Sequence, residues 1–229
     1  MLTKNPSFKL PTTNNQVVNI SDFIGKKIIL FMWASWWGCR AQLPVWQDFN
    51  NKYSEKVSII SIAIDLQGHE KVNHYISGLN LAFPTLIDQK NITGNLYGFR
   101  AIPNGILINE KGYIVAKQLG NFDIRNIQTR NKLKKWIIND QDFNNKTEIT
   151  KFTNKTKESN QLFQKGMDFF QSGNIHEALY YWKKGIKIDP KNYIIRKQVW
   201  AIEHPDKFYS GEINYQWQKT QIELDGLEE

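Results

Sequence analysis

The sequence predicts an α/β domain, a mixed sheet with helices on both faces, followed by a small all-α domain. Three observations carry this. Strand and helix signals alternate through the first 140 residues. Residues 57–64 form a β-rich apolar run, the pattern of a strand buried on both faces. From Leu162 to Pro190, small and apolar residues recur at helical spacing instead.

In order, a polar N-terminal arm leads to a short strand at residues 16–20 and a longer apolar one at Lys27–Trp33. A helix should start near Cys39 and run to about Tyr53, bent or restarted at Pro44, since proline disrupts a helix interior. The strand at 57–64 follows, then a helix at 68–77, a short strand at 84–87 and a helix at 92–97. Two strands, 105–109 and 113–118, flank Glu110-Lys111-Gly112, a hairpin turn signal. Asp123 is suited to cap a last helix reaching about Asn139. The domain thus spans residues 1–140, and the polar, Asn- and Lys-rich stretch 141–157 reads as a linker.

Residues 158–229 form the second domain. Gly166, Ala178 and Gly185 are small enough to let two antiparallel helices approach closely, and Gly173-Asn174 suits the turn between them. With Leu162, Phe169, Phe170, Trp182 and Pro190, they match the spacing of one tetratricopeptide repeat. A third helix is expected over 192–203, broken at His204-Pro205 before an aromatic tail with Tyr215 and Trp217.

Composition removes several classes of function. No run of eighteen apolar residues exists, so no membrane span is expected. The N-terminus lacks the apolar core of a secretory signal, and a cytoplasmic location is the expectation. The net charge of +8 falls entirely on residues 1–140, which hold 17 Lys+Arg against 9 Asp+Glu. Those cations are scattered and form no basic stripe, so nucleic acid is not an expected partner. His69 and His74 are five residues apart on one expected helix and share a face poorly, so no metal site is expected.

The chemistry concentrates in Trp33-Ala34-Ser35-Trp36-Trp37-Gly38-Cys39-Arg40, directly after the apolar strand. Cys39 is the only cysteine in 229 residues, which excludes an intramolecular disulfide. A thiol in the first turn of a helix, next to Arg40, is expected to have a moderately lowered pKa, because unpaired N–H groups and the dipole favour a thiolate. The other reading is a half-buried, inert thiol.

Residues 5–139 resemble the TlpA/ResA-like branch of the thioredoxin superfamily, related to the redoxin and peroxiredoxin domains. The resemblance rests on Phe8-Lys9-Leu10-Pro11, Ile20-Ser21-Asp22-Phe23-Ile24-Gly25-Lys26, the loop itself, Leu43-Pro44, Phe83-Pro84-Thr85-Leu86-Ile87-Asp88 and Ile102-Pro103. It implies a thioredoxin-like fold and thiol–disulfide exchange with no bound cofactor, acting on protein or peptide thiols and disulfides. It also implies that Cys39 matches the second, resolving cysteine and Pro103 a cis-proline facing the loop. The first, attacking cysteine has no counterpart: Trp37 or Trp36 stands there, depending on which side the alignment is anchored.

The leading functional reading is therefore thiol–disulfide oxidoreductase chemistry with a degraded motif. Cys39 and Trp37 are the catalytic candidates, and Trp36, Gly38, Arg40, Ile102 and Pro103 the substrate-binding ones. A single thiol needs an external reductant or partner thiol to close the cycle. Position 37 can also be read as a substituted selenocysteine, since the tryptophan and UGA codons differ by one base. The alternative is a non-catalytic module that holds a peptide or protein at the Pro103 groove, with the helical tail adding contacts. A one-cysteine peroxide reductase is disfavoured, because Pro-x-x-x-Thr-x-x-Cys is absent. Asp65 and Glu70 are candidates for proton transfer near the loop.

Overall fold

The computed structural model describes residues 2–141, 143, 153–210 and 212–224. They group into two units, Met1–Ser35 with Cys39–Lys151, and Trp36–Gly38 with Phe152–Glu229. Most of the expected linker lies outside the described residues.

In the first unit, β1 (Thr3–Lys4), β2 (Lys9–Pro11) and β3 (Val17–Asn19) come first, and β2 and β3 pair as a small antiparallel sheet. Neither β1 nor β2 was expected, because each is too short to show a period of two. The six-stranded main sheet runs β1, β8 (Tyr113–Leu119), β7 (Asn104–Ile108), β4 (Lys27–Trp33), β5 (Val57–Ala63), β6 (Thr85–Ile87). β4 is parallel to β5 and antiparallel to β7, and every one of its residues is buried. That is why the sequence shows a continuous apolar run there rather than alternation.

Helices α1 (Leu43–Tyr53), α2 (His69–Ile76), α3 (Ile92–Tyr97) and α4 (Ile127–Asn139) connect and flank these strands. Trp46 of α1 is fully buried, its ring centre 5.2 Å from that of Phe31 in β4 and 5.6 Å from that of Phe122. Lys27, at the start of β4, is 4 % exposed and donates to the Trp136 and Ile137 carbonyls at the end of α4. A cation there satisfies carbonyls that the helix itself leaves unpaired. The cap of α4 differs from expectation. The Asn126 side chain accepts from the Gln128 N–H, whereas Asp123 binds the Arg125 guanidinium, so the helix begins later.

The C-terminal region is helical. α5 (Asn154–Gln171) and α6 (Ile175–Ile188) form a hairpin whose turn uses Gly173 at φ +83° and the Asn174 side chain as a cap. A Cβ on Gly166 would strike the Trp182 ring and come within 3.0 Å of the Ala178 carbonyl, and one on Gly185 would lie 3.0 Å from the Ser159 carbonyl. Small residues at these positions are what let the two helices close. Trp182 is fully buried, and its indole N–H donates to the Phe163 carbonyl at 3.0 Å. α7 (Tyr193–Glu203) follows as expected. The aromatic tail is itself helical, in α8 (Asp206–Tyr209) and α9 (Tyr215–Leu224). Trp217 anchors it by meeting Trp200, His204 and Phe208. Among the described residues no helix is long and apolar enough to cross a membrane.

Candidate functional site

Strand register decides which loops meet. Trp33, the last residue of β4, lies opposite Ala63 of β5, and Met32 lies opposite Asn104 of β7. Because β5 runs with β4 and β7 against it, the chain leaving β4, the chain leaving β5 and the chain entering β7 share one end of the sheet. Cys39, Asp65 and Pro103 belong to these three segments.

After Trp33 the chain does not pass straight into α1. A 3-10 turn, Gly38–Gln42, carries Cys39 and precedes the helix proper, with Pro44 in the first turn of α1. The Gln42 side chain accepts from the Ile124 N–H at 3.0 Å, which holds this start in place. Cys39 is 4 % exposed. Its thiol is pushed up to about 12, chiefly by burial, with a smaller upward push from the Asp65 charge. Backbone hydrogen bonding at Ala34 and the Arg125 charge oppose this and do not overcome it. The expected lowering is thus reversed. Cys39 stands in the 3-10 turn ahead of α1 rather than in the first turn of the helix, and removing the thiolate from water outweighs the backbone hydrogen bonds that favour it.

Asp65 stands two residues beyond the end of β5 and is fully buried. Its carboxylate accepts from the Ser35 N–H at 2.9 Å and the Ser35 hydroxyl at 2.5 Å. Burial raises it to about 6, while the Ser35 hydrogen bonds and the Arg40 charge pull downward. The Arg40 guanidinium donates to the Ser35 carbonyl at 2.5 Å and lies 4.1 Å from the centre of the Tyr75 ring. Ser35 is therefore held from both sides, and Arg40 is committed to the loop's own backbone. Glu70, the other proton-transfer candidate, is exposed on α2.

The Ile102–Pro103 peptide bond is cis. Ile102 is buried and Pro103 half-buried. Asn104 fixes this turn: its amide donates to the Ala101 carbonyl at 2.7 Å and its carbonyl accepts from the Gly120 N–H at 2.7 Å.

The remaining candidates are placed differently. Trp36, Trp37 and Gly38 group with the helical unit, and Trp36 is 1 % exposed. The Trp37 ring meets Tyr215 edge to face at 5.1 Å, with Lys197 Nζ 3.2 Å from its centre, and Gly38 passes close under the Tyr215 hydroxyl. Sequence reasoning missed Ser35, Tyr75 and Gln42. A carboxylate placed two residues after a largely apolar strand was the one available signal that a buried polar partner stood nearby. Among the described residues, no three His, Cys, Asp or Glu side chains come together in a way that could hold a metal ion.

Residues 3–136 match the Redoxin family. The chain belongs to the Redoxin family. This redoxin is 29% identical over 133 residues to sporulation thiol-disulfide oxidoreductase A of Bacillus subtilis, covering 56% of this chain and 76% of that one. It is 26% identical over 128 residues to the thioredoxin-like protein YneN of the same organism, covering 55% and 75%. Among solved structures, it is similar to a provisionally named thiol:disulfide interchange protein DsbE of Chlorobium tepidum. There the TM-score is 0.53 and the identity 26%, over 59% of this chain and 94% of that one. Each of the three likenesses covers less than three-fifths of this redoxin.

Proposed function

We propose that this redoxin is a protein of the thiol–disulfide oxidoreductase type whose loop no longer starts an exchange. Its retained task is to hold an extended protein segment at the sheet end formed by residues 33–35, 64–66 and 101–104. One observation carries the reading: the chain's single cysteine is 4 % exposed, with its thiol pushed up to about 12. A disulfide is attacked by a thiolate, and at neutral pH this site holds a neutral thiol. The helical region at residues 158–229, read as one tetratricopeptide-like hairpin with an extra helix and an aromatic tail, would supply further contacts to a protein partner.

The test is reduction of insulin disulfides by dithiothreitol, with the full chain and with Cys39→Ser. Equal rates in the two, matching the protein-free rate, support the binding reading. Faster turnover that depends on Cys39 refutes it. That result would establish the second reading, a monothiol enzyme served by an external reductant, which the names of the relatives favour. A selenocysteine at position 37 would restore a nucleophile, and reading the native codon decides this: UGG excludes it.

A further inference from the structure

The redoxin reading leaves unused a cavity of about 470 Å³ that lies wholly within the first unit. No residue of 33–40, 64–66 or 101–104 lines it. Three segments wall it: the turn between β2 and β3, the end of α2 with the loop after it, and the start of β6. Each is tied to another part of the fold. His69 Nδ1 hydrogen-bonds to the Thr13 carbonyl at 3.2 Å, Thr12 bridges to Leu86 of β6, and the Gln47 side chain of α1 accepts from the Ala82 N–H at 2.7 Å. The walls are thus held before anything binds, and the volume suits one small organic molecule.

The lining is polar without being charged: among the described residues, no Asp, Glu, Lys, Arg or His contributes to it. Part of its polar capacity is engaged already. The Thr85 and Ser61 hydroxyls share a hydrogen bond at 2.8 Å, and the Thr12 hydroxyl donates to the Asn14 side chain. Three amides, those of Gln16, Asn73 and Asn80, and two hydroxyls, those of Thr13 and Ser77, make no side-chain hydrogen bond to another described residue. Each of these five groups can both donate and accept. Asn73 and Ser77 lie at i and i+4 where α2 ends, which sets them on one side of it, and Asn80 stands at φ +46° in the loop beyond. Half-buried Ile76, Leu81 and Pro84 add apolar surface.

We propose that this cavity binds a neutral polyhydroxylated molecule, a saccharide of one or two rings. A sugar hydroxyl donates and accepts, as the free amides and hydroxyls of the wall do, and the C–H faces of the ring suit Ile76, Leu81 and Pro84. A charged ligand would leave water and meet no counter-charge. A hydrocarbon would cover these polar side chains without replacing their bonds to water.

Nuclear magnetic resonance titration of the isotope-labelled full chain with maltose, glucose, glucuronate and cyclohexanol tests this. Both sugars saturably shift backbone amides within residues 12–16 and 73–85, the segments that wall the cavity. Glucuronate and cyclohexanol bind at least about tenfold more weakly than glucose. Asn73→Leu removes one wall amide and weakens maltose at least about fivefold. Asn80→Gly removes another with a similar loss and without strain, since glycine adopts a positive φ freely, and it serves if the Leu variant fails to fold. Asn131→Leu, an exposed change on α4 outside the cavity, leaves maltose within about twofold. The proposal is overturned by the absence of saturable shifts with either sugar up to about 50 mM. Glucuronate or cyclohexanol binding as well as glucose, or equal effects of the changes at 73 and 131, would also overturn it.

Discussion

Cys39 allows the sheltered-thiol reasoning to be tested without a background, because no other cysteine exists to react. The perturbation is pH, and the probe is a small chromogenic aromatic disulfide in excess. With the thiol at about 12, its thiolate fraction at pH 7.5 is about 3 × 10⁻⁵. A free cysteine at about 8.5 has roughly a tenth of its thiol ionised, about 3,000 times more. A more basic thiolate is intrinsically more nucleophilic, with a Brønsted slope of about 0.4–0.5, and that returns about 25- to 60-fold. Cys39 should therefore react on the order of a hundredfold more slowly than free cysteine before any steric hindrance is counted. The rate should climb about tenfold per pH unit from about pH 6 to 10 without a plateau. In denaturant it should rise to the free-cysteine value, because burial is the cause. A plateau below about 8.5, or a native rate within a few-fold of free cysteine, would refute the reasoning.

Three further outcomes follow from the same structure. Asp65 is raised to about 6 from 3.8, so the folded chain keeps a proton that the unfolded chain has released. Its contribution to stability is complete below about pH 3.8 and is lost as pH rises through about 6. Between about pH 4.5 and 7.5, wild type should lose about 2 kcal/mol relative to Asp65→Asn, read from urea midpoints, and a pH-independent difference would contradict this. Lys27→Met leaves the Trp136 and Ile137 carbonyls without their donor and should cost about 1–3 kcal/mol in urea unfolding. Gly166→Ala forces a methyl against Trp182 and the Ala178 carbonyl and should cost about 1–3 kcal/mol. An unchanged unfolding midpoint would mean that the hairpin is looser than described.

Much of the fold was legible because burial imposes a pattern on sequence. β4 and β5 lie inside the sheet, so their apolar runs announced them, and the hairpin's Gly166, Ala178 and Gly185 marked where two helices nearly touch. Short elements were not legible. β1, β2, α8 and α9 owe their form to what they pack on, and a two- or three-residue strand has no period to read. The cap of α4 was misplaced for a related reason. Asp123 and Asn126 are both good caps, and only the Arg125 guanidinium, which occupies Asp123, decides between them.

The sequence alone determined that an attacking thiol is missing, because that is a matter of residue identity at Trp36, Trp37 and Cys39. It also determined that a proline stands before β7. What the remaining thiol can do was decided only by tertiary structure. The start of a helix next to Arg40 argued for a lowered pKa, whereas the folded chain excludes water from Cys39, places the Asp65 charge near it and turns Arg40 to the Ser35 carbonyl. Ionisation depends on the solvent and charges within a few ångströms, and residues far apart in sequence supply those.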